Sequence, residues 1–216
     1  MEAIEIKHDL AQLSPEAIRV LGVLIEKSKT TQDNYPLTLN SLTLGCNQKS
    51  ARFPVVDYDE NTVLEAFQEL KKAGLSQTVL GDGRSTKYRH SLSVAYSLDP
   101  MEQSILCLLF LRGPLTAGEI RANSGRLYEF DSLQEVQEGI DQLLNSEPIY
   151  LTKLERQIGK KEARFTHNFA EYIEVEHAVE RIENHSNGLK DRIEELEQKV
   201  ANLEEKLMIL WNELKE

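Results

Sequence analysis

Residues 59–94 read DENTVLEAFQELKKAGLSQTVLGDGRSTKYRHSLSV. Asp59 is placed to cap a helix, because its carboxylate can accept the unpaired N–H groups of the first turn. Val63, Phe67 and Leu70 follow at helical spacing, and Gly74 stands where a helix ends in the left-handed conformation. Leu75 to Leu80, the turn Gly81-Asp82-Gly83 and Thr86 to Val94 then predict a β-hairpin. Period-2 alternation sets Tyr88, Leu92 and Val94 on one face of its second strand, and Lys87 and Arg89 on the other.

Two helices precede this unit. Ser14-Pro15 is a cap followed by a proline at the first helical position, and Ile18, Leu21, Leu24 and Ile25 form the apolar stripe. After a loop from Thr30 to Pro36, Thr38 caps a short helix carrying Leu39 and Leu42, which stops near Gly45. Residues 1–97 thus read as three helices and a hairpin.

Residues 98–168 repeat the order. Asp99-Pro100 opens a helix with Met101, Ile105, Leu108 and Leu109, ended by Gly113-Pro114. Thr116 with Glu119, and Ser132 with Glu135, fit capping boxes. Val136, Ile140 and Leu143 form the third core stripe. Ile149 to Arg156, a Gly159-Lys160-Lys161 turn and Ala163 to His167 predict the second hairpin. Helix–helix–helix–hairpin used twice is the plan of tandem winged-helix domains, and the repetition favours it over a generic α+β domain.

Residues 169–216 are of another kind. Apolar residues fall alternately four and three apart at Leu189, Ile193, Leu196, Val200, Leu203, Leu207, Leu210 and Leu214, a heptad seam. Arg192 and Lys199 would face Glu197 and Glu204 of a parallel partner, which favours a dimeric coiled coil over a helix folded back on its own domains. The expected fold class is therefore α+β and mainly helical: two winged-helix domains, then a helical tail with a coiled coil from residue 189.

The net charge of −11 is uneven: −1 over residues 1–97, −3 over 98–168 and −7 over 169–216. The acidity of the whole chain therefore does not exclude a nucleic-acid partner for its first part. The longest apolar run, Ile105 to Leu111, is far short of the about 20 residues that span a membrane. The basic-then-apolar start of a secretory signal is missing, and Cys46 and Cys107 lack metal-type spacing. Both features suit a reducing cytoplasm.

Asn34-Tyr35-Pro36-Leu37-Thr38-Leu39-Asn40-Ser41-Leu42, Cys46-Asn47-Gln48-Lys49-Ser50-Ala51-Arg52-Phe53-Pro54 and Arg84-Ser85-Thr86-Lys87-Tyr88-Arg89-His90 go beyond periodicity. With the opening Leu13-Ser14-Pro15-Glu16, they resemble the YceH-like family of bacterial proteins of unknown function. The likeness runs over essentially the whole chain. It implies a tandem winged-helix fold with a helical tail and carries no established activity. Phe53 departs from it, since the family pattern has an acidic residue there.

The third helix of a winged-helix domain commonly enters the major groove. Here its outward positions are Glu60, Asn61, Glu65, Gln68 and Glu69 in the first unit, and Gln134, Glu135, Gln137, Glu138 and Asp141 in the second. Phosphates repel such faces, so groove reading is not expected. Positive charge lies instead on Lys49 and Arg52, before the first unit's third helix, and on Arg84, Lys87 and Arg89 of its wing. These five are the candidate phosphate contacts. Lys160, Lys161 and Arg164 occupy the second wing, while Lys71 and Lys72 have ordinary work at a helix C-terminus. Asn47 and Gln48 are expected to brace their loop, and Tyr35-Pro36 to be a packed turn.

Catalysis has little support. Cys46 has no activating neighbour in sequence, and Glu174-Val175-Glu176-His177 is a single copy of a pattern that di-iron sites need twice. The chain is accordingly expected to be non-enzymatic, with no cofactor or metal. Two functions remain open: a regulator contacting DNA phosphates with weak sequence preference, or an adaptor docking a basic protein partner through its acidic third helices. Convergence of Lys49 and Arg52 with Lys87 and Arg89 on one surface would favour the first. Arginines or lysines tied up by acidic neighbours would favour the second.

Overall fold

The computed structural model describes residues 9–80, 85–156, 159 and 161–171. Arg84, Lys160, the Glu174–His177 pattern and the whole heptad seam from Leu189 to Leu214 lie outside the described residues.

The chain is an α+β protein with more helix than sheet. Its elements are α1 (Pro15–Thr30), a 3-10 turn (Gln32–Asn34), α2 (Leu39–Cys46), α3 (Glu60–Lys72), β1 (Ser76–Leu80), β2 (Thr86–His90) and a one-turn α4 (Leu92–Ala95). Then come α5 (Pro100–Arg112), α6 (Ala117–Ser124), α7 (Leu133–Asn145), β3 (Leu151–Lys153) and β4 (Phe165–His167). β1 pairs with β2 and β3 with β4, each antiparallel.

The helix starts follow from their caps. Ser14, Thr38, Asp59, Asp99, Thr116 and Ser132 each accept a backbone N–H from the first turn of the helix they precede. Asp99 and Thr116 form complete capping boxes with Glu102 and Glu119. The box expected at Ser132 is only half made. Glu135 turns away from it to accept the Tyr128 hydroxyl at 2.9 Å and the Asp131 N–H at 2.7 Å.

A second correction concerns the first hairpin. Its second strand stops at His90 and does not run on to Val94. The Ser91 N–H is drawn to the Leu75 carbonyl at 2.7 Å, and the chain then closes one helical turn. Leu92 and Ala95 point inward at i and i+3, leaving Val94 half exposed. The second hairpin is likewise shorter than its apolar residues suggest, three residues a side.

The repeat extends to single backbone contacts. Leu37, just before α2, pairs with Tyr88 of β2; Leu115, just before α6, pairs with Phe165 of β4. Each bridge pins the start of the second helix to the hairpin. Counting from these bridges, His90 and His167 are equivalent, as are the fully buried Leu92 and Phe169.

The described residues cluster as one compact unit, and the two halves that meet at residue 98 share a continuous core within it. The joint is α1 against α5. α5 is buried on every side from Gln103 to Leu111, as a helix enclosed by protein must be. Each of its large apolar side chains gains about 1.5–3 kcal/mol by leaving water. Gly22 allows the close approach: a Cβ there would lie 2.8 Å from Leu111 Cδ2. Beside it, the Cys107 thiol donates to the Gly22 carbonyl at 3.4 Å. The Leu13 N–H donates to the Phe169 carbonyl at 2.8 Å, so the beginning and end of the unit are stitched together.

Candidate functional site

The loop between α2 and α3 is where the sequence concentrates hydrogen-bonding groups. Asn47 braces it as expected, donating to the Tyr58 carbonyl and accepting the Tyr58 N–H, both at 2.8 Å. Gln48 braces it through its carbonyl oxygen, which accepts from Arg52 Nη2 at 2.8 Å.

Arg52 overturns the expectation placed on it. It is 6% exposed and forks onto Glu26 of α1, Nη1 to Oε1 at 3.1 Å and Nη2 to Oε2 at 2.6 Å. Nε donates to the Gly45 carbonyl and Nη1 also to the Ala51 carbonyl. With Gln48, these contacts occupy all five guanidinium N–H groups, so none is left for a phosphate. Burial alone would raise the Glu26 carboxyl, but the bonds and charges of Arg52 and Lys27 outweigh it and hold the group below its usual range. Lys27 Nζ lies 3.1 Å from the same carboxylate.

A second buried arginine stands nearby. Arg19 of α1 donates through Nη2 to the Pro54 carbonyl at 2.5 Å, while its Nη1 is buried with no partner among the described residues. Burial, then the neighbouring charge of Arg52, lower its pKa. Cys46 fills space beside this pair, its thiol pushed up to about 12 by burial. Burial raises Cys107 too. Both thiols are buried, which disfavours the thiolate that a nucleophile needs.

Of the other described candidates, Lys49, Lys87 and Arg89, none shares in the hydrogen bonds of Arg52. On the wing, Lys87 is half-buried, and Arg89 is exposed and donates to Gln77 of β1 at 2.9 Å. Lys49 is exposed and faces a different feature, a cleft of about 770 Å³ between the two halves. The first half contributes the end of α1 and the α2–α3 loop. The second contributes the end of α5 and the α6 region. Lys27 and Lys49 meet Arg112 and Arg126 around it. The sequence reading missed Arg112, Arg126 and Lys27, which lie on separate elements. It also missed Glu26, though a carboxylate directly after the buried run Ala17–Ile25 was a signal that a buried cation would meet it.

The third helices are acidic outward, with two exceptions. Glu69 accepts the Ser14 N–H at 2.7 Å and its hydroxyl at 2.6 Å, tying α3 to α1. Glu135 is held by the loop before α7. Glu60, Glu65, Glu138 and Asp141 remain exposed. Tyr35 is the packed residue expected: its hydroxyl accepts the His90 N–H at 2.8 Å. Among the described residues no helix is long and apolar enough to cross a membrane.

One unit of three helices and a hairpin, used twice around a shared core, defines the class of protein. Residues 13–160 match the family described as "Protein of unknown function, DUF480", and the chain belongs to that family. It is 42% identical over 192 residues to the UPF0502 protein Acid345_3645 of Koribacter versatilis, covering 88% of this chain and 90% of the relative. It is 40% identical over 208 residues to a UPF0502 protein of Shewanella halifaxensis, covering 91% and 97%. A UPF0502 protein of Pseudomonas fluorescens, Pfl01_3711, is 36% identical over 209 residues, covering 94% and 95%.

Proposed function

We propose that the chain is a non-enzymatic tandem winged-helix protein of the cytoplasm that works as a protein-interaction module. The winged-helix reading is supported by the repeated element order and by the two bridges that join each second helix to its hairpin. The observation that carries the choice of function is Arg52. As the central candidate for a phosphate contact, it is consumed by Glu26, Gln48 and two carbonyls. The exposed carboxylates of α3 and α7 favour a basic protein partner and repel a phosphate backbone. The heptad residues Leu189, Ile193, Leu196, Val200, Leu203, Leu207, Leu210 and Leu214 pair two copies, presenting the acidic faces twice.

The exposed Arg89 and half-exposed Lys87 support a second reading, weak phosphate clamping by the first wing. Titration with random-sequence duplex DNA at low salt, repeated at rising salt, separates the two. The interaction-module reading expects no saturable binding. Binding that falls steeply with salt and is lost in a Lys87→Ala, Arg89→Ala double variant replaces it with the DNA reading. A partner captured by crosslinking to wild type should be lost when Glu138 and Asp141 are both changed to Lys. Sedimentation of the full chain beside a Leu196→Lys, Leu203→Lys variant tests the dimer: two copies for wild type, one for the variant.

A further inference from the structure

We infer that the cleft between the two halves is a binding site for a phosphorylated small molecule of nucleotide size. Its volume, about 770 Å³, lies within the range of small-molecule pockets. Its walls combine two chemistries. Leu127, with the edges of the buried Leu108 and Leu111, offers a small apolar patch, and Lys27, Lys49, Arg112 and Arg126 surround the opening with positive charge.

The charge balance is what selects an anion. Glu26 is the single carboxylate of the lining, and it is already bonded to Arg52 at 2.6 Å and Lys27 at 3.1 Å. Among the described residues, Lys49, Arg112 and Arg126 take part in no ion pair. In a chain of net charge −11, four cations gathered on a concave wall form a local positive field. Such a field attracts multiply charged anions far more strongly than singly charged ones. Arginine adds planar, two-pronged recognition of phosphate oxygens. Gln48 adds donors in fixed orientation: its carbonyl oxygen is held by Arg52, which leaves the amide N–H groups as its free end. Arg52 is thus a positioning residue for this wall, setting Gln48 and neutralising Glu26 without touching the ligand.

Each half supplies two of the four cations, so an occupant touches both. The concave, bounded shape favours a small molecule over a duplex. The inference is independent of whether the third helices dock a protein.

The test is equilibrium titration of the full chain with magnesium-free ATP, inorganic pyrophosphate and adenosine. ATP and pyrophosphate should bind saturably at one site per chain, and adenosine should not. A Lys49→Gln, Arg126→Gln double variant, altered only at exposed positions, should lose at least about tenfold in ATP affinity. A Lys87→Gln, Arg89→Gln variant, altered on the wing, should keep wild-type affinity. ATP should raise the Tm of wild type and of the wing variant, and raise that of the cleft variant less at the same concentration. The inference is overturned if neither phosphate compound binds saturably below about 10 mM. It also fails if the cleft variant binds ATP as wild type does. Displacement of ATP by duplex DNA, with DNA affinity reduced in the cleft variant, would make the surface a nucleic-acid contact instead.

Discussion

Among the described residues each half of this molecule holds one arginine–glutamate pair, and the two are alike in length but not in surroundings. In the first half Arg52 Nη2 meets Glu26 at 2.6 Å with the arginine side chain wholly buried; in the second, Arg164 Nη2 meets Glu119 at 2.8 Å with both side chains more than a third exposed. Arg52 gives every N–H to the protein. Arg164 adds only the Pro114 carbonyl at 2.7 Å and keeps about a third of its side chain in water. The comparison teaches that distance does not measure the worth of an ion pair. What matters is how much charge is stranded when one partner goes. Removing Arg52 leaves the largely buried Glu26 with Lys27 as its remaining cation, whereas removing Arg164 leaves Glu119 to solvent and to its own capping box.

The sharpest way to break this comparison is a matched pair of alanine variants followed by denaturant unfolding. Arg52→Ala should cost about 3–5 kcal/mol, seen as a fall in midpoint at unchanged slope. If the loss is instead no larger than that of Arg164→Ala, burial is not what separates the two pairs.

The next effect tests where the halves agree. His90 and His167 sit at equivalent strand ends, and burial lowers each to about 4 from an ordinary 6.5; at His90 the nearby Lys29 and Arg89 charges add to this. The fold favours the neutral form of both, so below about pH 6.5 unfolding takes up protons. Stability is therefore full above about pH 6.5 and declines as the pH falls towards 4, by at most about 3 kcal/mol for each histidine. Glu26, held below its usual range, adds a further loss at still lower pH as its carboxylate protonates. His90→Gln and His167→Gln should each flatten the profile between pH 6.5 and 4. A profile unchanged in both would show that the acid sensitivity arises elsewhere.

Caps give a smaller contrast. Thr116 works in a full capping box with Glu119, while Thr38 accepts one N–H and shares its hydroxyl with Ser41 at 2.9 Å. Thr116→Ala should cost about 1 kcal/mol and Thr38→Ala less, read from thermal melts. Equal losses would mean that the reciprocal Glu119 bond contributes nothing. Last comes Arg164→Ala itself, expected at or below about 1 kcal/mol in the same unfolding experiment.

Much of the fold was legible because helix caps and apolar stripes are local signals. Ser14, Thr38, Asp59, Asp99 and Thr116 mark helix starts within a few residues of the features they stabilise. The continuation of the second strand to Val94 misled because alternation over Tyr88, Leu92 and Val94 also fits a strand followed by one helical turn. The Ser91 N–H still extends the ladder to Leu75, and it is the Val94 and Ala95 N–H groups, turned back onto the Ser91 carbonyl, that decide for the helical turn. The site was less legible for a reason of distance along the chain. Lys49 and Arg52 look alike in their loop, yet Glu26 reaches only Arg52, across 26 residues of sequence. The cleft gathers Lys27, Lys49, Arg112 and Arg126 from four places, and no periodicity links them.

The enclosure of α5 has a consequence for how this protein can be cut. A helix buried from Gln103 to Leu111 presents part of its apolar surface to α1 and the rest to its own half. A break in the link around Ser97 would leave each fragment with an open wound of leucine, isoleucine and phenylalanine, too large for a small fragment to tolerate in water. A gene split at that point would yield two products that survive only by finding each other again.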